Sequence, residues 1–178
     1  YLYFCEHYPV VTAGKRIQSG SISPEFIRLL KASGYDFVHT NRGGQLTMHM
    51  PGQLMIYPCL NIKRLGLGIK KFIYSFLRVL QNSLDDMQIK TYIDDEKLGL
   101  WLESDKKKVV SLGLELKNNC TNHGFSLNYS CAVNDFLLID PCGIDGSYIG
   151  ICHYNSKVLN LFQLKENISK HLYKELRL

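Results

Sequence analysis

The pattern of apolar and polar positions along the chain predicts three helices. The clearest spans about residues 68–87, where apolar side chains recur at steps of three and four: Ile69, Phe72, Ile73, Phe76, Leu77, Leu80, Leu84 and Met87. A stripe of this kind is typical of a helix packed on a core. Ser23 and Pro24 favour a helix start and Gly34 a helix end, which predicts a shorter helix between them. The third helix is predicted over residues 159–176 from its leucine spacing.

Short apolar runs separated by turn residues predict strands. These runs occupy residues 2–4, 10–13, 35–39, 53–57, 89–93, 98–102, 109–116 and 125–129. Strands concentrated in the middle with helices around them indicate a mixed β-sheet flanked by helices, in the α/β or α+β class. No repeat, low-complexity tract or linker divides the 178 residues, so we expect a single domain over residues 1–178.

Composition narrows the classes of function. No apolar run reaches the roughly 18 residues of a membrane span, so we expect no membrane insertion. The net charge of +5 comes without a long basic tract interleaved with aromatic residues, which predicts no nucleic-acid partner but suits an acidic protein. The six cysteines form no C-x-x-C pair, so we expect free thiols and no metal site.

A polar, glycine-bearing loop leads into the apolar run at residues 53–57. Its residues are Arg42, Gly43, Gly44, Gln45, Leu46, Thr47, Met48 and His49. Paired glycines allow a tight turn or the close approach of a ligand, and Pro51-Gly52 adds turn chemistry. On these grounds alone the loop is either ordinary or part of a small-molecule site.

Two residues in the second half could support covalent chemistry. Lys108 abuts an apolar strand, and a lysine with a partly buried stem can exchange protons near neutrality. Cys142 lies between Pro141 and Gly143 after an apolar run, so a turn would present its thiol. A neighbouring ammonium would raise the thiolate fraction, as nucleophilic catalysis requires. The alternatives are a solvated lysine and an inert thiol.

Four motifs in this order resemble the signatures of one family, the lipoyl(octanoyl) transferases. They are Arg42-Gly43-Gly44-Gln45-Leu46-Thr47 with His49 and Pro51-Gly52-Gln53-Leu54, then Lys108-Val109-Val110-Ser111-Leu112-Gly113, then His123-Gly124-Phe125-Ser126-Leu127-Asn128, and Pro141-Cys142-Gly143-Ile144. Glu6-His7 with Thr12-Ala13-Gly14 resembles the family's first motif.

The resemblance implies a biotin/lipoate protein ligase-like fold and transfer of an octanoyl group from acyl carrier protein to a lysine of a lipoyl domain. It implies that Cys142 carries the acyl group as a thioester and that Lys108 activates it, without a cofactor, ATP or metal. Acyl contacts would come from the glycine loop and from two further segments, Ser111, Leu112 and Gly113 with Gly124, Phe125 and Ser126. Leu46, Met48 and Leu112 would either line the acyl path or belong to the ordinary core.

The resemblance also implies partners and a location. The acceptors would be lipoyl domains of 2-oxo acid dehydrogenase complexes and the glycine cleavage H protein, and the protein would be a monomer. The location would be the bacterial cytoplasm, or an organelle once a transit peptide is removed. The family's N-terminal strand and helix would precede Tyr1.

Two alternatives remain open from the sequence. One is an ATP-dependent lipoate or biotin protein ligase of the same fold, which would not need Cys142. The other is a non-catalytic acyl-binding protein, suggested by two departures from the family pattern: Met50, where the family has glycine, and Asp140, where it has an apolar residue.

Overall fold

Nine strands form two sheets in the computed structural model, which describes residues 1–18, 20–139, 148–154 and 160–177. The strands are β1 (Leu2–Cys5), β2 (Val10–Ala13), β3 (Asp36–His39), β4 (Leu46–His49), β5 (Gln53–Pro58), β6 (Thr91–Asp94), β7 (Gly99–Leu102), β8 (Lys108–Lys117) and β9 (Cys120–Asn128). The helices are α1 (Pro24–Ala32), α2 (Ile69–Asp85), α3 (Ile151–Tyr154) and α4 (Leu161–Leu176), with a 3-10 helix at Val133–Leu138. None of these described helices is long and apolar enough to cross a membrane.

The larger sheet has six antiparallel strands in the order β1-β5-β9-β8-β7-β6. The smaller sheet has the order β3-β2-β4, with β2 parallel to β3 and antiparallel to β4. Sheets and helices together confirm the predicted class of a mixed β-sheet architecture flanked by helices, although the parallel pair lies in the small sheet alone.

The helices α2 and α4 pack on the larger sheet and confirm the predicted apolar stripes. Their buried residues form one cluster with β5 and β9, which includes Phe72, Phe76, Leu80, Leu164, Ile168, Leu54, Ile56, Phe125 and Leu127. At its centre the rings of Phe76 and Phe125 stack with centroids 4.5 Å apart. Each such side chain contributes about 1.5–3 kcal/mol through burial, so this helix layer anchors the sheet beneath the site.

A second core lies between the smaller sheet, α1 and the 3-10 helix. Met48, Met50, Phe136 and Ile139 are buried in it. Met50, one of the two departures from the family pattern, is 3 % exposed and lies 3.8 Å from the hydroxyl of Tyr35. Its side chain therefore fills a core position.

The start of α1 follows the predicted capping chemistry. Ser23 is the N-cap, and its hydroxyl accepts a hydrogen bond from the Phe26 amide at 3.1 Å. Pro24 occupies the first helical position, and Gly34 follows the helix end with φ of 83°. The residues that mark these ends act through local backbone geometry, which is why the sequence alone could locate them.

The structure differs from the predicted strands in two places around the site, with one strand missed and one begun too late. Residues 46–49, predicted as loop, form β4 because their backbone pairs with β2, with Thr47 opposite Thr12. β9 begins at Cys120, five residues earlier than predicted, because Asn118 and Asn119 both have positive φ, 51° and 63°, and form a two-residue hairpin turn. This hairpin pairs β8 and β9 along the length that carries two of the predicted motifs.

Candidate active site

A cleft of about 610 Å³ lies on the larger sheet at its junction with the smaller one. Nine of the predicted contact residues line it: Arg42, Thr47, His49, Ser111, Leu112, Gly113, Gly124, Phe125 and Ser126. The structure thus brings three motifs that are distant in sequence to one place. Leu112 and Phe125 border the cleft from strands whose apolar side chains pack in the helix-covered core, and Phe125 is fully buried there.

Paired strand residues form the floor of the cleft. Across β8 and β9, Ser111 faces Ser126 and Gly113 faces Gly124. A Cβ at position 113 would lie 2.9 Å from the Cδ of Arg42, so glycine lets the arginine stem lie on the sheet. Because neither glycine has a side chain, the floor is deep at this point. The glycine pair lies between the serine pair and the polar residues at the other end of the cleft.

The Gly124→Ala variant is expected to lose about 1–3 kcal/mol of folding free energy, as over-packed sites do. Its new methyl group would overlap the carbonyl oxygen of Ile56 and lie 2.9 Å from the Cδ of Pro58, on the neighbouring strand. Urea unfolding measures the loss. Gly68→Ala is the comparison, because a Cβ there meets nothing within 4 Å and φ is not positive; it should lose only the smaller amount by which alanine is a poorer N-cap of α2 than glycine. Equal stability of the two variants would contradict a steric requirement at position 124.

Arg42 joins the glycine loop to β2. Its guanidinium is on a side chain only 5 % exposed, and it donates to the hydroxyl and carbonyl of Thr12 at 2.9 and 2.6 Å and to the carbonyls of Gln45 and Gly43 at 2.7 and 3.0 Å. The predicted substrate contact at Arg42 is therefore a wall residue whose hydrogen bonds shape the loop.

The rest of the glycine loop supports the cleft from behind. Gly43 donates its amide to the carbonyl of Leu114 at 3.0 Å, and Gly44 has φ of 92°. Gly43, Gly44 and Gln45 are not among the cleft-lining residues, and Leu46 and Met48 line a small cavity that adjoins the cleft. The predicted contact segment thus divides into wall residues and residues that hold the wall.

His49 lies in the wall and is part of a buried hydrogen-bonded chain. Its Nδ1 is 2.8 Å from the Oε1 of Gln53, and the Nε2 of Gln53 donates to the Oδ1 of Asn128 at 2.9 Å. Desolvation lowers the pKa of His49 to about 4, and the positive charge of Arg42 acts in the same direction. The imidazole is therefore neutral at physiological pH.

Two further polar side chains meet beside His49. The Nε2 of His7 and the hydroxyl of Tyr57 are 2.6 Å apart, and the rings of His7 and His49 have centroids 5.7 Å apart. Burial raises the pKa of Tyr57 to about 12, so its hydroxyl keeps its proton. The sequence predicted no site role for His7, Tyr57 or Gln53, although His7 and Gln53 belong to the segments that resemble the family's motifs.

The two ends of the cleft carry different polar side chains, with charged groups at one end and hydroxyl groups at the other. At one end Glu115 forms an ion pair with Lys15 at 2.6 Å, beside Asn122 and His123. At the other end Thr47, Ser111 and Ser126 line both the cleft and a small adjoining cavity of about 20 Å³. We call this second end the inner end, defined by these three residues.

Lys108 is buried at the start of β8, as expected. It is 6 % exposed, and its ammonium donates to the carbonyl of Lys97 at 3.2 Å and lies 5.3 Å from the ring centre of Trp101. It is not among the residues that line the cleft. The structure therefore places the predicted proton carrier in the interior, against the carbonyl of Lys97 and the ring of Trp101.

Cys142 and Asp140 lie outside the described residues, but the residues that flank their segment are placed. Ile139, 1 % exposed, and Tyr148 both line the small cavity at the inner end. Tyr148 pairs with Lys108 in a parallel bridge, and the amide of Ile149 donates to the carbonyl of Lys108 at 3.3 Å. Both flanks of residues 140–147 are thus held at the inner end beside the strand of Lys108.

Comparisons with known proteins agree with this arrangement. The family model described as the lipoyl protein ligase A/B catalytic domain matches residues 1–175. The octanoyltransferase of Shewanella woodyi is 34 % identical over 173 residues, which cover 97 % of this chain and 73 % of that protein. The octanoyltransferase of Legionella pneumophila strain Paris is 39 % identical over 142 residues, covering 80 % of this chain and 67 % of that protein.

Solved structures share the fold at low sequence identity. A lipoate-protein ligase A bound with ATP has a TM-score of 0.77 and 11 % identity, covering 99 % of this chain and 72 % of its own. A bipartite lipoate protein ligase from Thermoplasma acidophilum has a TM-score of 0.76 and 11 % identity, covering 99 % of this chain and 71 % of its own. The fold is that of the lipoate and biotin protein ligases, and the chain belongs to the lipoyl protein ligase A/B catalytic-domain family, within it to the octanoyltransferases.

Proposed function

We propose that the chain moves an octanoyl group from acyl carrier protein to a lysine of a lipoyl domain, through a thioester on Cys142. The observation that carries the mechanism is the convergence at the inner end of the cleft. There both flanks of residues 140–147 meet the strand of the buried Lys108, next to the wall residues Thr47, Ser111 and Ser126.

The first step is thioester exchange. The sulfur of Cys142 attacks the octanoyl carbonyl, the bond from that carbonyl to the carrier's pantetheine sulfur breaks, and the leaving thiolate takes a proton. Lys108 removes the thiol proton of Cys142 and returns it to the leaving group. Because one thioester replaces another, the step needs no nucleotide.

The second step forms the amide. The neutral amine of the acceptor lysine attacks the thioester carbonyl, the carbon–sulfur bond breaks, and the proton lost by the amine returns to the sulfur of Cys142. An amide is more stable than a thioester, so this step drives the transfer. The cleft holds the acyl chain against the apolar wall residues Val10, Val38 and Met55 during both steps.

The partners follow from this chemistry. The donor, acyl carrier protein, is acidic and suits a chain of net charge +5. The acceptors are lipoyl domains of 2-oxo acid dehydrogenase complexes and the glycine cleavage H protein. The reaction belongs where acyl carrier protein is made, in the bacterial cytoplasm or in an organelle with its own fatty-acid synthesis.

The test is the intact mass of the protein after incubation with octanoyl-acyl carrier protein and no ATP. We expect an octanoyl increment that hydroxylamine removes, that peptide mapping locates on Cys142, and that an added lipoyl domain discharges onto its lysine. Pyrophosphate release from ATP and free octanoate, with no adduct, would show an ATP-dependent ligase instead. Binding of the acyl group without an adduct would show a non-catalytic acyl-binding protein.

A further inference from the structure

We propose that Gln53 and Asn128 are positioning residues for acyl transfer, which fix His49 in the tautomer whose Nε2 lone pair faces the cleft. There Nε2 accepts a hydrogen bond from an N–H group of the substrate. The inference rests on the proposed function for the substrate's identity: the N–H group is either an amide of the donor's pantetheine or the amine of the acceptor lysine.

The direction of the hydrogen-bonded chain follows from its far end. That end is the backbone carbonyl of Lys108, which can only accept, and the Nδ2 of Asn128 donates to it at 3.5 Å. The Oδ1 of Asn128 therefore faces Gln53 and accepts from its Nε2 at 2.9 Å. This leaves the Oε1 of Gln53 as the acceptor for His49 at 2.8 Å, so Nδ1 carries the proton.

The other ring nitrogen is consequently unprotonated. Among the described residues, Nε2 of His49 has no hydrogen-bond partner, and it is not one of their buried unpaired atoms. The ring itself lines the cleft although the side chain is only 7 % exposed. The lone pair of Nε2 therefore faces the cleft.

The burial of these side chains indicates that their hydrogen bonds are a specific feature of the fold. Gln53 is 2 % exposed and Asn128 3 %, and buried amides are costly unless their hydrogen bonds are satisfied. Each amide has a donor and an acceptor engaged, so the three side chains satisfy one another and present a single acceptor to the cleft. The same chain ends on the residue to which the proposed function assigns the proton transfer.

The surrounding charges keep the ring neutral and able to accept. The groups that face it are Arg42 from the glycine loop, His7 from the segment before β2 and His123 from β9, and the charge of each lowers the pKa of His49. Gln53 is the neighbour that raises this pKa, through its hydrogen bond. A cationic ring has no lone pair with which to accept a hydrogen bond from a substrate N–H group, so the proposed role requires a neutral His49.

The Gln53→Met variant tests the positioning role, because methionine has similar volume but neither donates nor accepts comparably. ¹⁵N chemical shifts of labelled histidine report the tautomer directly. We expect the wild type to show the Nδ1–H form at His49 and the variant to gain the Nε2–H form. In the variant, the rate of the affected half-reaction, either acylation by octanoyl-pantetheine or discharge onto the lipoyl domain, should fall about a hundredfold.

The two half-reactions identify the source of the N–H group. If Gln53→Met is acylated more slowly than the wild type by octanoyl-pantetheine but equally fast by S-octanoyl-mercaptoethanol, a donor without an amide, the contact is with pantetheine. Slower discharge alone assigns it to the acceptor lysine. Gln81→Met is the control, because Gln81 likewise donates its side-chain amide, in its case to the backbone carbonyl of Thr91, and does not line the cleft. We expect an unchanged His49 signal and unchanged rates.

The Gln53→Glu variant keeps an acceptor at Nδ1 and provides a second readout, with the Asn128 amide turned so that its Nδ2 donates to the second carboxylate oxygen. Its carboxylate should retain the tautomer but raise the pKa of His49, so the ring becomes cationic at a higher pH as the solution is acidified. The acid limb of the pH–rate profile should therefore move upward in pH.

Two results would overturn the inference: an Nε2–H tautomer in the wild type, or a changed tautomer in Gln53→Met with both half-reactions at wild-type rates. Loss of the proposed function would show differently, as a wild type that forms no adduct while its His49 signal is that of the Nδ1–H form.

Discussion

Cys142→Ser is expected to abolish the octanoyl adduct and to lower transfer to a lipoyl domain by about 10⁴-fold or more, as loss of a nucleophile does in other acyl-transfer enzymes. A serine hydroxyl stays protonated at neutral pH, whereas a thiol is readily converted to its nucleophilic thiolate. An ester on serine would also discharge onto lysine more slowly than a thioester. Intact mass and a lipoyl-domain transfer assay measure the two effects.

The other cysteines provide controls for this variant. Cys120 begins β9 outside the cleft, so Cys120→Ser should form the adduct at the wild-type rate. Cys59 is an exposed thiol that lines the cleft, which makes it the rival nucleophile among the described cysteines. Loss of the adduct in Cys59→Ser, or its persistence in Cys142→Ser, would contradict the assignment of Cys142.

Lys108→Met is expected to slow acylation by about 10²–10⁴-fold, the usual contribution of a general acid–base group. Methionine has a similar length, so it can occupy the buried space over Trp101 and leave the fold intact. Without the amine, hydroxide must remove the thiol proton, so the residual rate should rise more steeply with pH than the wild-type rate. Single-turnover adduct formation followed by mass across a pH series measures both.

Lys108→Arg separates proton transfer from charge. Arginine retains the positive charge and the contact with Trp101, but its guanidinium does not release a proton near neutrality. We therefore expect Lys108→Arg to remain slow. Lys107→Met, at the half-buried preceding position, should react like the wild type. A fast Lys108→Arg variant would show that Lys108 acts by its charge, and a fast Lys108→Met variant would remove it from the mechanism.

Much of the architecture was predictable because it depends on local patterns. The spacing of apolar residues located α2 and α4, and the capping residues Ser23 and Pro24 located α1. The strand β4 was missed because its four residues are too few for an alternating pattern to be recognised, and its identity as a strand comes from pairing with β2, more than thirty residues earlier. A short strand of this kind is specified by its partner rather than by its own composition.

The cleft residues could be predicted as a set but not in their separate roles. The motif around Arg42 indicated a site, yet the hydrogen bonds that occupy its guanidinium reach back to Thr12. The chain through Gln53 and Asn128 joins residues 75 apart in sequence, which meet because β5 and β9 pair in one particular register. Periodicity shows which residues share a face, whereas only strand pairing shows which of them touch.

The register of the β8–β9 hairpin also bears on how this family can change. Between Val110 and Glu115 of β8, successive side chains alternate between the helix-covered core and the cleft. On β9 the alternation holds from Gly124 to Leu127, whereas Asn122 and His123 both line the cleft, and His123 has a φ of 57°. If the cleft holds the acyl chain as proposed, substitutions at cleft-facing positions will alter the acyl group that is accepted without altering the core. Insertion or deletion of a single residue would exchange the two sets, so variation in this hairpin should proceed by replacement, with length changes confined to its turn.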